Sequence, residues 1–265
     1  NITATDTGIT DAEIVTLAAE TTGIVTATSA TTALATAVSG LDFTGGNAGE
    51  AISDSFSGHA ISYALVDNSV TAANLNTLLG RTTGTITITP ADGDASPDIS
   101  GSASALATAF ASSQITGLDA AAVTITGGAS VAQINSLASQ TTGVITGTPT
   151  EGDMATLAGL TETTNALSIS VTDASVDATA LLALDAKTTG VVTVAGTTLT
   201  GTVADITSAF TANTNGTIAG LTNINVTPDS GITMAQGNAL IALNGTGIVT
   251  ATITDVQDLT TLIAA

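Results

Sequence analysis

The sequence contains no cysteine, one histidine, and two basic residues among 265. Without cysteine, no disulfide supports the fold and no thiolate serves as nucleophile or metal ligand. With a single histidine, His59, any Ser–His–Asp arrangement must run through that one side chain. Nothing like Gly-x-Ser-x-Gly accompanies it. The flanking Phe56-Ser57-Gly58 and Ile61 read as an ordinary loop in which a histidine is tolerated. No P-loop or Gly-x-Gly-x-x-Gly occurs, and Gly45-Gly46-Asn47-Ala48-Gly49 reads as a turn.

The scarcity of cations excludes whole partner classes. Lys+Arg 2 against Asp+Glu 22 gives a formal net charge of −20. Such a chain cannot neutralise phosphates, so nucleic acid is excluded, and anionic membrane surfaces repel it. Its natural partners are cations, or copies of itself bridged by cations. Long apolar runs are missing too. Although the chain is 43% hydrophobic, Thr, Ser, Gly or Asp interrupts every run before the ~18 residues a membrane span requires. Disorder is also excluded, because Thr, Val and Ile recur in periodic order. The chain opens on Asn1 with no basic segment followed by an apolar one. A mature secreted form, or a segment of something longer, is therefore expected. The acidic, Cys-free, Thr-rich composition points to an extracellular bacterial protein.

What is present is a repeat. Lys187-Thr188-Thr189-Gly190-Val191-Val192-Thr193, with Leu181…Leu184 before it, is spelled again as Ile14…Leu17…Glu20-Thr21-Thr22-Gly23-Ile24-Val25-Thr26. Further copies are Leu75…Leu78…Arg81-Thr82-Thr83-Gly84-Thr85-Ile86-Thr87 and Ile134…Leu137…Gln140-Thr141-Thr142-Gly143-Val144-Ile145-Thr146. A shortened copy is Leu240…Leu243-Asn244-Gly245-Thr246-Gly247-Ile248-Val249-Thr250. The glycines lie 61, 59, 47 and 57 positions apart, which divides the chain into five units, approximately 1–60, 61–122, 123–166, 167–223 and 224–265.

Within a unit, an Asp-containing turn precedes a Val or Ile and then a cap residue: Asp6…Ile9-Thr10, Asp67…Val70-Thr71, Asp173…Val176-Asp177 and Asp229…Ile232-Thr233. Thr or Asp before an Ala-rich stretch suits a helix N-terminus, because its side-chain oxygen accepts an orphan backbone N–H. The apolar residues three apart then share one helix face. The glycine is expected to end the helix, and the residue before Thr-Thr-Gly (Glu20, Arg81, Gln140 or Lys187) to face water. Alternating β-branched runs such as Ile24–Thr28 and Ile86–Thr89 follow as strands. A second signature, Leu106…Phe110 and Ile206…Phe210 with the looser Phe43…Ile52…Phe56, marks a second helix per unit. Ser29–Glu50 reads as an insertion, and the third unit as trimmed around Glu151–Leu160.

Strands joined through helices are parallel, with right-handed crossovers. The expected fold is therefore an α/β repeat solenoid, a parallel sheet on one side and short helices on the other, with a parallel β-helix as the alternative. The Thr-Thr-Gly-Val-Val-Thr phrase, the Asp-x-x-Val-Thr/Asp lead-in and the Leu-x-x-Leu helix resemble Thr/Ala-rich repeat segments of very large secreted or cell-surface proteins of aquatic bacteria, including cyanobacteria. That resemblance implies an external location and a structural role, and supplies no catalytic residues.

Calcium is the cofactor the acidic residues suggest. Asp92-Gly93-Asp94…Asp98 resembles the start of an EF-hand loop, yet Pro97 stands where Gly belongs and Ala103 where Glu belongs. Asp6, Asp67, Asp173 and Asp229 would recur every ~10 Å in stacked coils. At that spacing two charges in water repel by only about 0.4 kcal/mol, so an Asx turn or helix cap accounts for the column equally well. The Thr-x-Thr pairs (Thr26/Thr28, Thr87/Thr89, Thr124/Thr126, Thr146/Thr148, Thr250/Thr252) would place hydroxyls and methyls in flat ladders. Such ladders resemble the surfaces of some β-solenoid ice-binding proteins, although Thr also suits any solvated sheet face. The apolar Leu259–Ala265 and the opening Ile2-Thr3-Ala4-Thr5 carry no polar cap. End-to-end stacking into a rod, filament or surface coat is the expected role. The alternatives are a calcium-dependent adhesin or an ice-binding module.

Overall fold

In a computed structural model, the residues described are 1–6, 8–40 and 58–255. They form an α/β protein in which every strand pairing is parallel. The chain divides into two compact units, residues 1–128 with 136–145, and 129–135 with the described residues from 146 on.

In the first unit the order is β1 (Ile2–Thr3), α1 (Asp11–Ala19), β2 (Val25–Thr28), α2 (Leu34–Gly40), β3 (Ala60–Leu65), β4 (Ser69–Thr71), α3 (Ala72–Leu79), β5 (Ile86–Ile88), β6 (Asp98–Gly101), α4 (Ala103–Ala111), β7 (Ile115–Thr116) and β8 (Val123–Ala129). One sheet runs β1-β2-β3-β5-β7. A second pairs β4 with β6 and β6 with β8. From β3 onward the chain repeats one circuit: a strand in the first sheet, a strand in the second, a helix, and back. Ile86 pairs with Ile115, and Ile99 with Val123.

The remaining elements are α5 (Val131–Ala138), β9 (Ile145–Pro149), α6 (Met154–Leu157), β10 (Ala166–Leu167), β11 (Ile169–Val171), β12 (Ser175–Asp177), α7 (Ala178–Asp185), β13 (Val192–Val194), β14 (Thr198–Gly201), α8 (Val203–Asn215), β15 (Ile218–Ala219), β16 (Asn225–Pro228) and α9 (Met234–Asn244). In the second unit β9 pairs with β10, and two three-stranded sheets run β11-β13-β15 and β12-β14-β16. The same circuit operates from β11 to α9.

Two sheets per circuit, rather than one, is a correction to the sequence reading. Between β3 and β4 the cause is an Asp-containing turn. In Leu65-Val66-Asp67-Asn68-Ser69 the polar pair cannot continue an apolar strand, so the chain bends and its next strand joins another sheet. The expected strand Ile248–Thr252 is reduced to a single bridge from Val249 to Val226. The motif Phe43…Ile52…Phe56 lies outside the described residues, as does Leu259–Ala265.

Strand alternation and helix periodicity send apolar side chains inward from all three walls. Tyr63 and Leu65 of β3, Ile86 and Ile88 of β5, Ile99 of β6, Leu75 and Leu78 of α3 and Leu106 of α4 are each at most 2% exposed. Burying such a side chain is worth roughly 1.5–3 kcal/mol. The helices begin on the expected caps: Thr10, Thr71, Asp177 and Thr233 each accept the N–H three residues on. Glu13 and Gln236 complete capping boxes.

Candidate functional site

The Thr-Thr-Gly phrase is a coil-to-coil joint. In three copies its first threonine is buried and turned onto the backbone of the preceding coil. Thr82 Oγ1 accepts the N–H groups of Ile61 and Gly84, each at 2.9 Å, and donates toward the Ile61 carbonyl at 2.6 Å. Thr188 Oγ1 repeats this with Leu167 and Gly190, and Thr141 Oγ1 donates to Ala121 O at 2.7 Å. The glycine that follows is required by close approach. A Cβ on Gly84, Gly143, Gly190 or Gly247 would overlap the carbonyl oxygen of Ile61, Ala121, Leu167 or Ile224 respectively. None of these glycines has positive φ, so the expectation that glycine ends the helix is corrected. The helix has already stopped, and the glycine lets two backbones touch.

The position before this phrase does not simply face water. Arg81 and Lys187 are half-buried. Arg81 Nη1 donates to Val38 O in α2, and Lys187 Nζ to Leu160 O just beyond α6. Both basic side chains of the chain thus complement the negative end of a helix in the preceding coil.

The expected calcium residues separate into different local roles. Asp67 Oδ2 accepts Leu34 N–H, the first amide of α2, at 2.8 Å. Asp173 Oδ2 accepts Met154 N–H, the first amide of α6, at 2.7 Å. Asp6 Oδ1 accepts Gly8 N–H at 2.9 Å, an Asx turn. Asp229 is exposed, and its backbone N–H donates to Gly201 O. In the 92–98 segment, Asp92 Oδ1 accepts Asp94 N–H at 3.1 Å, while Asp98 opens β6 and pairs through its backbone with Asn68. Among the described residues no three Asp, Glu or His side chains gather as a metal-ligating group. Two capping carboxylates escaped sequence reasoning: Glu151 accepts Val131 N–H of α5 at 3.1 Å, and Asp255 accepts Met234 N–H of α9 at 2.8 Å.

The most elaborate polar cluster centres on Asp11. Its buried carboxylate accepts Ser29 Oγ at 2.6 Å, Thr31 Oγ1 at 2.8 Å and the Tyr63 hydroxyl at 3.2 Å. Burial, then the Asp11 charge and hydrogen bond, raise the Tyr63 pKa far above the ordinary tyrosine range. At exposed caps the opposite occurs. Hydrogen bonds from the Thr10 backbone and side chain hold Glu13 below the usual carboxylate range, and those from the Thr156 side chain and backbone do the same for Asp153.

His59 lies in the bend just before β3 and is buried, and its Nδ1 accepts Val25 N–H at 2.9 Å. It borders an open groove of about 460 Å³, lined also by Asn1, Ala18, Thr22 and Gly58. Every threonine of the five Thr-x-Thr pairs is exposed. Across neighbouring strands, Thr116 Oγ1 donates to Thr87 Oγ1 at 3.1 Å and Thr85 Oγ1 to Ser62 Oγ at 3.2 Å. No helix among the described residues is long and apolar enough to cross a membrane. No family model, curated protein or solved structure matches the chain.

Proposed function

We propose that this chain is a non-enzymatic, extracellular structural protein, an α/β solenoid whose coils stack into a rod, filament or surface coat. The observation that carries this reading is the repeated coil-to-coil joint, in which Thr82 and Thr188 bond the preceding coil while Gly84 and Gly190 press against it. A surface designed to meet a copy of itself is what a stacking protein needs. The side chains with the most chemistry to offer (His59, Asp11, Arg81 and Lys187) are engaged in the same task. The resemblance to repeats of large bacterial surface proteins supports the external location.

Negative-stain microscopy of the purified chain, with and without a calcium chelator, tests this. Filaments or rods indifferent to chelator are expected. Particles that stay monomeric and melt only when calcium is removed would replace the structural reading with a calcium-dependent adhesin. An ice-binding sheet has one observation in its favour, the exposed hydroxyl ranks that include Thr87 and Thr116. Thermal hysteresis would support it, and none at millimolar protein would remove it.

A further inference from the structure

We propose that the outer face of the first unit's five-stranded sheet, β1-β2-β3-β5-β7, docks against the same sheet of a second copy of this chain. This rests on the self-assembly reading and deepens it, adding a contact between sheet faces to the contact between coils.

Charge is distributed unevenly over the strands. The chain carries Asp+Glu 22 against Lys+Arg 2, yet no outward position of β1, β2, β3, β5 or β7 holds a charged residue. Across neighbouring strands the outward ranks read Thr28–Ser62–Thr85 and Ala64–Thr87–Thr116. Ile61, Tyr63, Leu65, Ile86 and Ile88 alternate with them and point into the core. In the second unit the sheet β11-β13-β15 repeats this with the rank Ser170–Thr193–Ala219. The other sheet of each unit does not, because Asp98 stands outward on β6 and Asp177 on β12. Two copies that each carry a formal charge of −20 repel one another. They meet at lowest cost where neither face bears a carboxylate.

The face can also be dried. Thr85 Oγ1 donates to Ser62 Oγ at 3.2 Å and Thr116 Oγ1 to Thr87 Oγ1 at 3.1 Å, so these hydroxyls keep partners when water is expelled. Ile24 and Val66 continue the outward alternation of β2 and β3 and are 49% and 44% exposed. Small side chains let two such sheets approach to ~10 Å. Five strands at ~4.8 Å, with about six residues at ~3.3 Å, give roughly 400–500 Å² per copy. That is below the ~800 Å² per partner of a standard interface. A single contact is therefore weak, and it strengthens when salt screens the repulsion between the copies.

Sedimentation velocity of the full chain over a concentration series, at low and high NaCl and with a chelator present, tests this. Wild type should associate more strongly at high salt and be indifferent to chelator. Ala64→Glu and Ala64→Lys, at an exposed site on the central strand of the sheet, should each weaken association at least tenfold at high salt. Either sign of unpaired charge resists burial. Thr28→Glu, exposed on β2, should do the same from a second strand. Thr124→Glu, exposed on β8 of the other sheet, is the control and should associate like wild type, with circular dichroism confirming that every variant is folded. Face variants that associate like wild type, or a lysine variant that associates more tightly, would overturn the face assignment and leave the self-assembly reading intact. Association that salt weakens or chelator abolishes would overturn it in favour of ionic bridging. A wild-type chain that is monomeric throughout would overturn both, and thermal hysteresis that Ala64→Glu abolishes would make ice the occupant instead of a second copy.

Discussion

Asp67 and Arg81 hold the two ends of one helix that belongs to neither of them. The Asp67 carboxylate accepts the first amide of α2, at Leu34, and the Arg81 guanidinium donates to the Val38 carbonyl near its other end. Asp173 and Lys187, separated by the same interval, do this for α6, at Met154 and just past its end at Leu160. These are short helices, spanning Leu34–Gly40 and Met154–Leu157. Isolated helices of this length are unstable in water, because nucleation fixes several residues for one hydrogen bond. Opposite charges placed on the orphan amides and carbonyls offset that cost, each by about 0.3–1 kcal/mol and up to ~2 where partly buried.

Replacing Asp67 by Ala should therefore lower stability by about 1–2 kcal/mol, and Arg81→Met by a similar amount. The double variant should lose less than the sum, because once one end of α2 frays the other clamp has less to hold. Urea unfolding followed by the fluorescence of Tyr63, the only tyrosine in a chain without tryptophan, would measure all three. Strict additivity would show that the two clamps act on independent elements.

The Thr-Thr-Gly joint makes a sharper prediction, because its two components fail for different reasons. Gly84→Ala places a Cβ on the Ile61 carbonyl, so two backbones must separate, at a cost of about 3 kcal/mol or more. Gly58→Ala meets nothing within 4 Å and should fall within ~0.5 kcal/mol of wild type. If both substitutions are equally mild, close approach is not what keeps glycine in the phrase.

Thr188→Val tests the hydroxyl. It keeps the shape but strands Leu167 N–H and Gly190 N–H, which Thr188 Oγ1 satisfies at 2.8 and 2.9 Å. An unsatisfied buried amide costs about 1–3 kcal/mol. Thr193→Val, at an exposed strand position, should be near neutral. Thermal melts of the two variants side by side distinguish a joint from a general preference for threonine.

How much of this was legible in the sequence follows from the range of the interactions. The helices over Ile14, Leu75, Leu181 and Leu240 and their Thr or Asp caps depend on neighbours three or four residues away, so periodicity reveals them. Parallel pairing also follows, because helices connect the strands. The second sheet was hidden, since a turn such as Asp67-Asn68 marks a bend without saying which sheet receives the next strand. The joint was hidden too. Thr188 and Gly190 spell a helix ending by local rules, and only the approach of Leu167 from the preceding coil reveals their actual role. The aspartates at 67 and 173 formed a visible column in the sequence, but a helix cap and a cation ligand require the same carboxylate. In the structure the carboxylates at these two positions accept the Leu34 and Met154 amides.

Alkaline titration probes the Asp11 cluster. Tyr63 is 2% exposed and donates its hydroxyl proton to a carboxylate, so folding raises its pKa above the ~10 of an unfolded tyrosine. A group whose pKa is raised by folding contributes its full stabilisation below the unfolded value and loses it as pH rises. Stability should thus be unaffected by Tyr63 below pH ~10 and fall above it, with a slope approaching 1.4 kcal/mol per pH unit. Absorbance at 295 nm should show no tyrosinate until far-ultraviolet circular dichroism reports unfolding, and the two transitions should coincide. Tyr63→Phe is the necessary comparison. It should lose about 1 kcal/mol at neutral pH, for the missing hydrogen bond, yet show a shallower alkaline decline than wild type. Tyrosinate appearing near pH 10 in a chain that is still folded would mean that the hydroxyl is open to water and that Asp11 does not tie the coils of β3 and α1 together.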